Sequence, residues 1–184
     1  MKSRTLIFVL ILSSVNTIAQ IEKPITKGNT LLNGSMNVSY YGAEPGAGSI
    51  NEGLYHFFNA SLNVESAFFV LNKFAIGPIV TLGFSNSTDT YEYAIGIGPK
   101  IRYYFNNGIF IKTDAICQLN TEVFIHSHVE KEIYYYISPG IGYAIFLNPK
   151  VSFEPSIDLF FQNNYNGPAI TNYVRFRAGL SIFL

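Results

Sequence analysis

Two groups of residues have the types and spacing to do chemistry. The first is His126-Ser127-His128-Val129-Glu130, which gathers bases, a nucleophile and an acid within five residues. On a membrane barrel a Ser, His and acid set would make a lipid-acting hydrolase. Such a triad needs its members oriented on rigid elements, which five adjacent loop residues do not provide. A solvated loop is the expected state. The two histidines at i, i+2 could share a metal on a strand extension, but no third ligand is in view. The second group is Glu65, Glu92, Lys100, Arg102, Lys112, Asp114, Glu154, Asp158, Arg175 and Arg177, five acids and five bases. On one face of a closed sheet they would neutralise one another, because an unpaired charge in a narrow interior is costly. That face would be either a salt-bridged filling or a gated ion path, and the filling is the expectation. No phosphate loop, dinucleotide fingerprint or cysteine-based metal site is present, so no cofactor and no catalytic activity are expected. The lone Cys117 sits among apolar strand positions and reads as a small hydrophobe.

The element that must carry these charges is clearest from Tyr91 to Phe105. Its odd positions, from Tyr91 and Tyr93 through Ile95, Ile97, Pro99 and Ile101 to Tyr103 and Phe105, are all apolar or aromatic. The even positions are mostly small or charged and include Glu92, Gly96, Gly98, Lys100 and Arg102. A period of two puts the two sets on opposite faces of a strand. A membrane-crossing strand needs roughly 9–11 residues, so this one can span a bilayer and project from it.

Seven further stretches repeat the pattern: Thr30 to Tyr40, Tyr55 to Phe69, Phe74 to Ser85, Ile109 to Thr121, Ile133 to Leu147, Val151 to Gln162 and Tyr173 to Leu184. Between them, longer polar connections (Tyr41–Leu54, Asn86–Thr90, Glu122–Glu132, Asn163–Asn172) alternate with short turns such as Asn106-Asn107-Gly108. This alternation and the even strand count match outer-membrane barrels with short periplasmic turns and longer outer loops. If Phe105 faces Ile109, Lys100 faces Asp114, while Glu154 and Asp158 neighbour Arg175 and Arg177. Aromatics crowd the strand ends, with Tyr40, Tyr55, Phe84, Tyr91, Tyr134, Phe161 and Tyr173 at one end and Phe68, Phe74, Tyr103, Phe105, Phe110 and Phe153 at the other. Two such girdles mark membrane interfaces. Pro78, Pro99, Pro139 and Pro155 fall within strands, and each predicts a bulge or a missing ladder bond.

Residues 1–19 have a basic start, a short apolar run from Leu6 to Leu12 and a small residue at Ala19, the anatomy of a secretory signal peptide. Residues 20–29 read as a periplasmic lead-in and 30–184 as the barrel. Near-neutral charge gives no reason to expect nucleic acid as a partner. The rival is a secreted lipocalin-like barrel, which would bury an apolar lumen and show its polar face to water. Crowding the Ile, Phe and Tyr face into an eight-stranded interior counts against it.

The segments Ile97-Gly98-Pro99-Lys100-Ile101-Arg102-Tyr103-Tyr104-Phe105 and Ser138-Pro139-Gly140-Ile141-Gly142-Tyr143 resemble the small outer-membrane β-barrel domain family that includes PorT-like proteins. The resemblance implies the fold and says nothing of activity. The whole expectation is an all-β chain, an eight-stranded antiparallel up-and-down transmembrane β-barrel in the outer membrane of a Gram-negative-type cell. It would be a monomer embedded in outer-membrane lipid. Any extracellular or periplasmic protein partner would meet its loops.

Overall fold

The computed structural model describes residues 24–43, 55–87, 90–124, 128–164 and 167–184. The signal peptide expected at 1–19 and the start of the lead-in lie outside the described residues. No described helix is long and apolar enough to cross a membrane. The chain is instead a meander of strands: β1 (Thr30–Ala43), β2 (Tyr55–Leu71), β3 (Phe74–Asn86), β4 (Thr90–Tyr104) and β5 (Ile109–Phe124). Next come β6 (Val129–Tyr143, resuming past Ala144 as Ile145–Asn148), β7 (Val151–Asn164) and β8 (Gly167–Phe183). Each strand pairs antiparallel with the next. β8 returns to β1 from Leu31↔Phe183 to Met36↔Ala178 and closes the sheet into an eight-stranded barrel.

Alternation sets the two surfaces. Ile95, Ile97, Ile101, Tyr103 and their counterparts on other strands face outward, while Lys100, Arg102, Lys112 and Asp114 are buried inside. Ile97 is 62% exposed and Asp114 0%. Nearly every exposed large side chain around the wall is Ile, Leu, Val, Phe, Met or Tyr, a continuous belt that a water-soluble protein does not show. This is the reverse of a lipocalin. The fold is that of a transmembrane β-barrel, with every strand crossing and the charged face turned inward.

The tight turns follow from their residues. Gly108 takes a positive φ of 92° where Phe105 meets Ile109, the three-residue hairpin read from the sequence. Lys73 does the same at φ 69°, held by its N–H bond to the Ile25 carbonyl at 2.8 Å.

Two expectations need correction, and a third is decided between its alternatives. The strands run past the apolar alternation: Glu122 pairs with Glu130, and Gly167 with Asn164, inside what read as loops. A ladder is held by backbone bonds and can continue beyond the bilayer, where no apolar face is required. The prolines give the missing ladder bonds rather than bulges: pairing skips from Ile97↔Cys117 to Lys100↔Asp114 across Pro99, from Glu65↔Ile79 to Phe68↔Ile76 across Pro78 and from Ile137↔Phe161 to Gly140↔Asp158 across Pro139, with the register kept. The observed register shifts lie at Phe69/Leu71, Phe146/Asn148 and Asn163/Asn164 instead. Finally, Phe110, Tyr134 and Tyr173 are not girdle residues. All three lie on inward strand positions: Phe110 stacks on Tyr104 at 5.4 Å and Tyr173 on Phe160 at 4.6 Å, and Tyr134 lines the interior.

A charged lumen beneath an open cup

The interior is built in layers along the barrel axis. At the end that holds Thr30 and Leu184, Phe69, Tyr104, Phe110, Phe146 and Phe183 form a buried aromatic layer. Their rings lie 5.4–6.3 Å apart, in tilted, edge-on and stacked contacts. The lead-in closes this layer from below. Ile25 is buried in it, and Gly28 N–H donates to the Phe69 carbonyl at 3.0 Å.

Above the rings sit eight of the ten charges picked from the sequence. They form one unbranched chain in which the sign alternates at every step. Lys112 lies 3.2 Å from Asp158, Asp158 is bound by Arg177, and Arg177 reaches Asp114 at 2.8 Å. Asp114 faces Lys100 at 3.4 Å, Lys100 meets Glu65 at 2.9 Å, and Glu65 meets Arg102 at 2.8 Å. Arg102 ends the chain on Glu154. The layers are stitched together: Tyr104 donates its hydroxyl to Glu154 at 2.9 Å, and the Arg102 guanidinium lies 4.8 Å from the Phe110 ring centre. Four acids and four bases leave no net charge, which is the condition for keeping them out of water. Lys100 and Asp114 stand opposite each other, as the hairpin register required.

Asp158 takes Arg177 on the neighbouring strand, within the expectation, but Glu154 departs from it and turns to Arg102 across the lumen. Adjacent-strand register names neighbours along the wall, whereas the side chains here are long enough to meet across the interior. Glu92 and Arg175 stand apart from the chain. Glu92 accepts bonds from Ser85, at 3.1 Å, and from Asn120. Arg175 lies over the Phe160 ring at 4.7 Å and has no carboxylate partner among the described residues.

Ile79, Ile116, Tyr136 and Phe160 cover the charges from above. Beyond this floor the barrel opens into a cup of about 1030 Å³, whose lining includes Asn59, Asn63, Gln118, Asn120, Tyr134 and Arg175. Between the layers the filling is tight; a cavity beside Arg102, Lys112 and Arg177 measures only about 10 Å³, the threshold for one water.

Two glycines on the inner face of β6 make room for the network. A Cβ on Gly140 would collide with the Asp158 carboxylate, and one on Gly142 with the Phe110 ring. Each follows the period-two alternation on the inner face of β6, and that was the available signal. Of the candidate loop triad, His126 and Ser127 lie outside the described residues. His128 meets Glu130 at 2.6 Å on the exposed rim. Among the described residues no group of three metal-ligating side chains comes together.

No family model matches the chain, and no curated protein matches its sequence. Solved structures do resemble it. The N-terminal β-barrel domain of Pseudomonas aeruginosa OprF aligns over 86% of this chain and 98% of that one, with 10% identity and a TM-score of 0.50. The outer-membrane protein OprG from Pseudomonas aeruginosa aligns over 89% of this chain and 99% of its own, at 9% identity and a TM-score of 0.48. Neisserial surface protein A aligns over 85% and 97%, at 18% identity and 0.42. The fold is that of the small eight-stranded outer-membrane β-barrels.

Proposed function

We propose that the chain works in the outer membrane of a Gram-negative-type cell as a monomeric, non-enzymatic β-barrel with a structural or binding role. Its outer side carries the interactions and its lumen does not conduct. Residues 1–19 are a signal peptide in this reading, 20–29 a periplasmic lead-in and 30–184 the barrel. The segments Ile97–Phe105 and Ser138–Tyr143 support grouping it with PorT-like outer-membrane barrel domains. Its constant partner is outer-membrane lipid, which the apolar belt fits; a protein partner would dock on the outer loops.

The observation that carries the closed lumen is the eight-charge chain packed between two apolar layers. An ion crossing it would have to break contacts between opposite charges, each worth roughly 4 kcal/mol at 4 Å and an effective dielectric near 20. Planar-bilayer recording of the purified protein tests this directly. The expected trace has no stable unitary conductance. Reproducible openings whose selectivity changes in Asp114→Ala would replace this reading with a small-solute pore.

A further inference from the structure

One seam of the barrel wall is only half sealed. β1 and β8 pair up to Met36↔Ala178 and then part. Beyond that row β1 runs on to Ala43 bonded to β2 alone, and Gly167–Arg177 of β8 bonds to β7 alone. The Asn37 side-chain amide, donating to the Phe176 carbonyl at 3.2 Å, marks where the two strands separate. Open backbone edges are costly in hydrocarbon, and proteins cover or pair them. The gap here joins two hollows. The polar cup reaches it from inside, and an apolar hollow of about 660 Å³ reaches it from the outer wall; Val38 and Phe176 line both.

Arg175 stands on this seam strand, at an inward position facing the cup. Its Nε is buried with no hydrogen-bond partner. The acids in reach of the lumen are engaged elsewhere: Asp158 holds Lys112 and Arg177, and Glu92 accepts from Ser85 and Asn120. Elsewhere in the cup lining, the Nδ2 of Asn63 is also buried without a partner. A guanidinium with no carboxylate partner and its Nε turned away from water favours a bound anion. The apolar exit beside it favours a hydrocarbon chain.

We infer that the cup and its seam bind a single-chain anionic amphiphile drawn from the membrane. Its phosphate or carboxylate head sits on Arg175, and its chain leaves between Val38 and Phe176 into the bilayer. This rests on the membrane-spanning, binding role proposed above but not on the closed lumen. A barrel that fails to conduct and also fails to bind would therefore lose this inference alone.

The test uses the folded protein in neutral maltoside micelles, with dodecyl phosphate as probe and native mass spectrometry as readout. One copy is expected to bind. Arg175→Gln should weaken it at least tenfold, Arg175→Lys should restore part of the affinity, and inorganic phosphate should not compete at equal concentration. A dodecyl phosphate carrying a mid-chain diazirine should label Val38, Val174 or Phe176. Full affinity in folded Arg175→Gln, equal competition by inorganic phosphate, or label spread evenly around the belt would each overturn the inference.

Discussion

Asp114 faces two cations at once, Lys100 at 3.4 Å and Arg177 at 2.8 Å, and is wholly buried. Asp114→Ala breaks two contacts at once in the middle of the chain, leaving Lys100 to Glu65 and Arg177 to Asp158 with one cation in excess, and should cost about 3–5 kcal/mol, the range for breaking a buried pair. Lys112→Met should cost clearly less. Lys112 is the end of the chain, and its partner Asp158 keeps Arg177. Chemical denaturation of the two variants in the same lipid checks the order; a Lys112→Met barrel weaker than Asp114→Ala would mean that the chain is not read correctly. Gly140→Ala, one methyl group, should also destabilise, because it displaces the Asp158 carboxylate. The ten charges were legible because parity puts each on one face. Which charge binds which was not, since alternation gives a face and a height, while Arg102–Glu154 and Arg177–Asp114 join across the lumen.

For the strands, the alternation in β4 is the best guide to facing. Ile97 lies outward near mid-strand, so Ile97→Arg should cost about 2–4 kcal/mol if it sits at the bilayer midplane. Gln118→Arg, on the cup side of β5, should cost less. Equilibrium folding into vesicles measures both, and the reverse order would turn the barrel inside out. Connections between strands give the orientation. In the proposed topology Glu130→Cys on the rim labels from outside intact cells, whereas Asn107→Cys in the β4–β5 turn does not; labelling of Asn107→Cys alone would invert it. Strand number and facing could be read from the sequence because lipid demands apolar side chains every second residue. Strand ends could not. Beyond the bilayer the ladder continues through residues such as Glu122 and Glu130, whose polarity reads as loop.

On the scale of the whole barrel, closure depends on β1 and β8. Every other neighbouring pair is joined by one short stretch of chain, but Leu31 and Phe183 meet from opposite ends of the domain. Bringing them together costs roughly 4 kcal/mol in the length-dependent part of the loop entropy, more than any hairpin in the structure pays. Only the lower rows repay it, together with the bonds between Thr30 and Leu184, each 2.8 Å. The seven hairpin-linked pairs are therefore free to form first, and the circle is completed last, from the terminal end upward. That order makes the final strand pair the slow step of assembly. Shortening the contact there, as in Phe183→Ala, should delay the appearance of the fast-migrating folded band on unheated gels while leaving early strand content, followed by circular dichroism, almost unchanged.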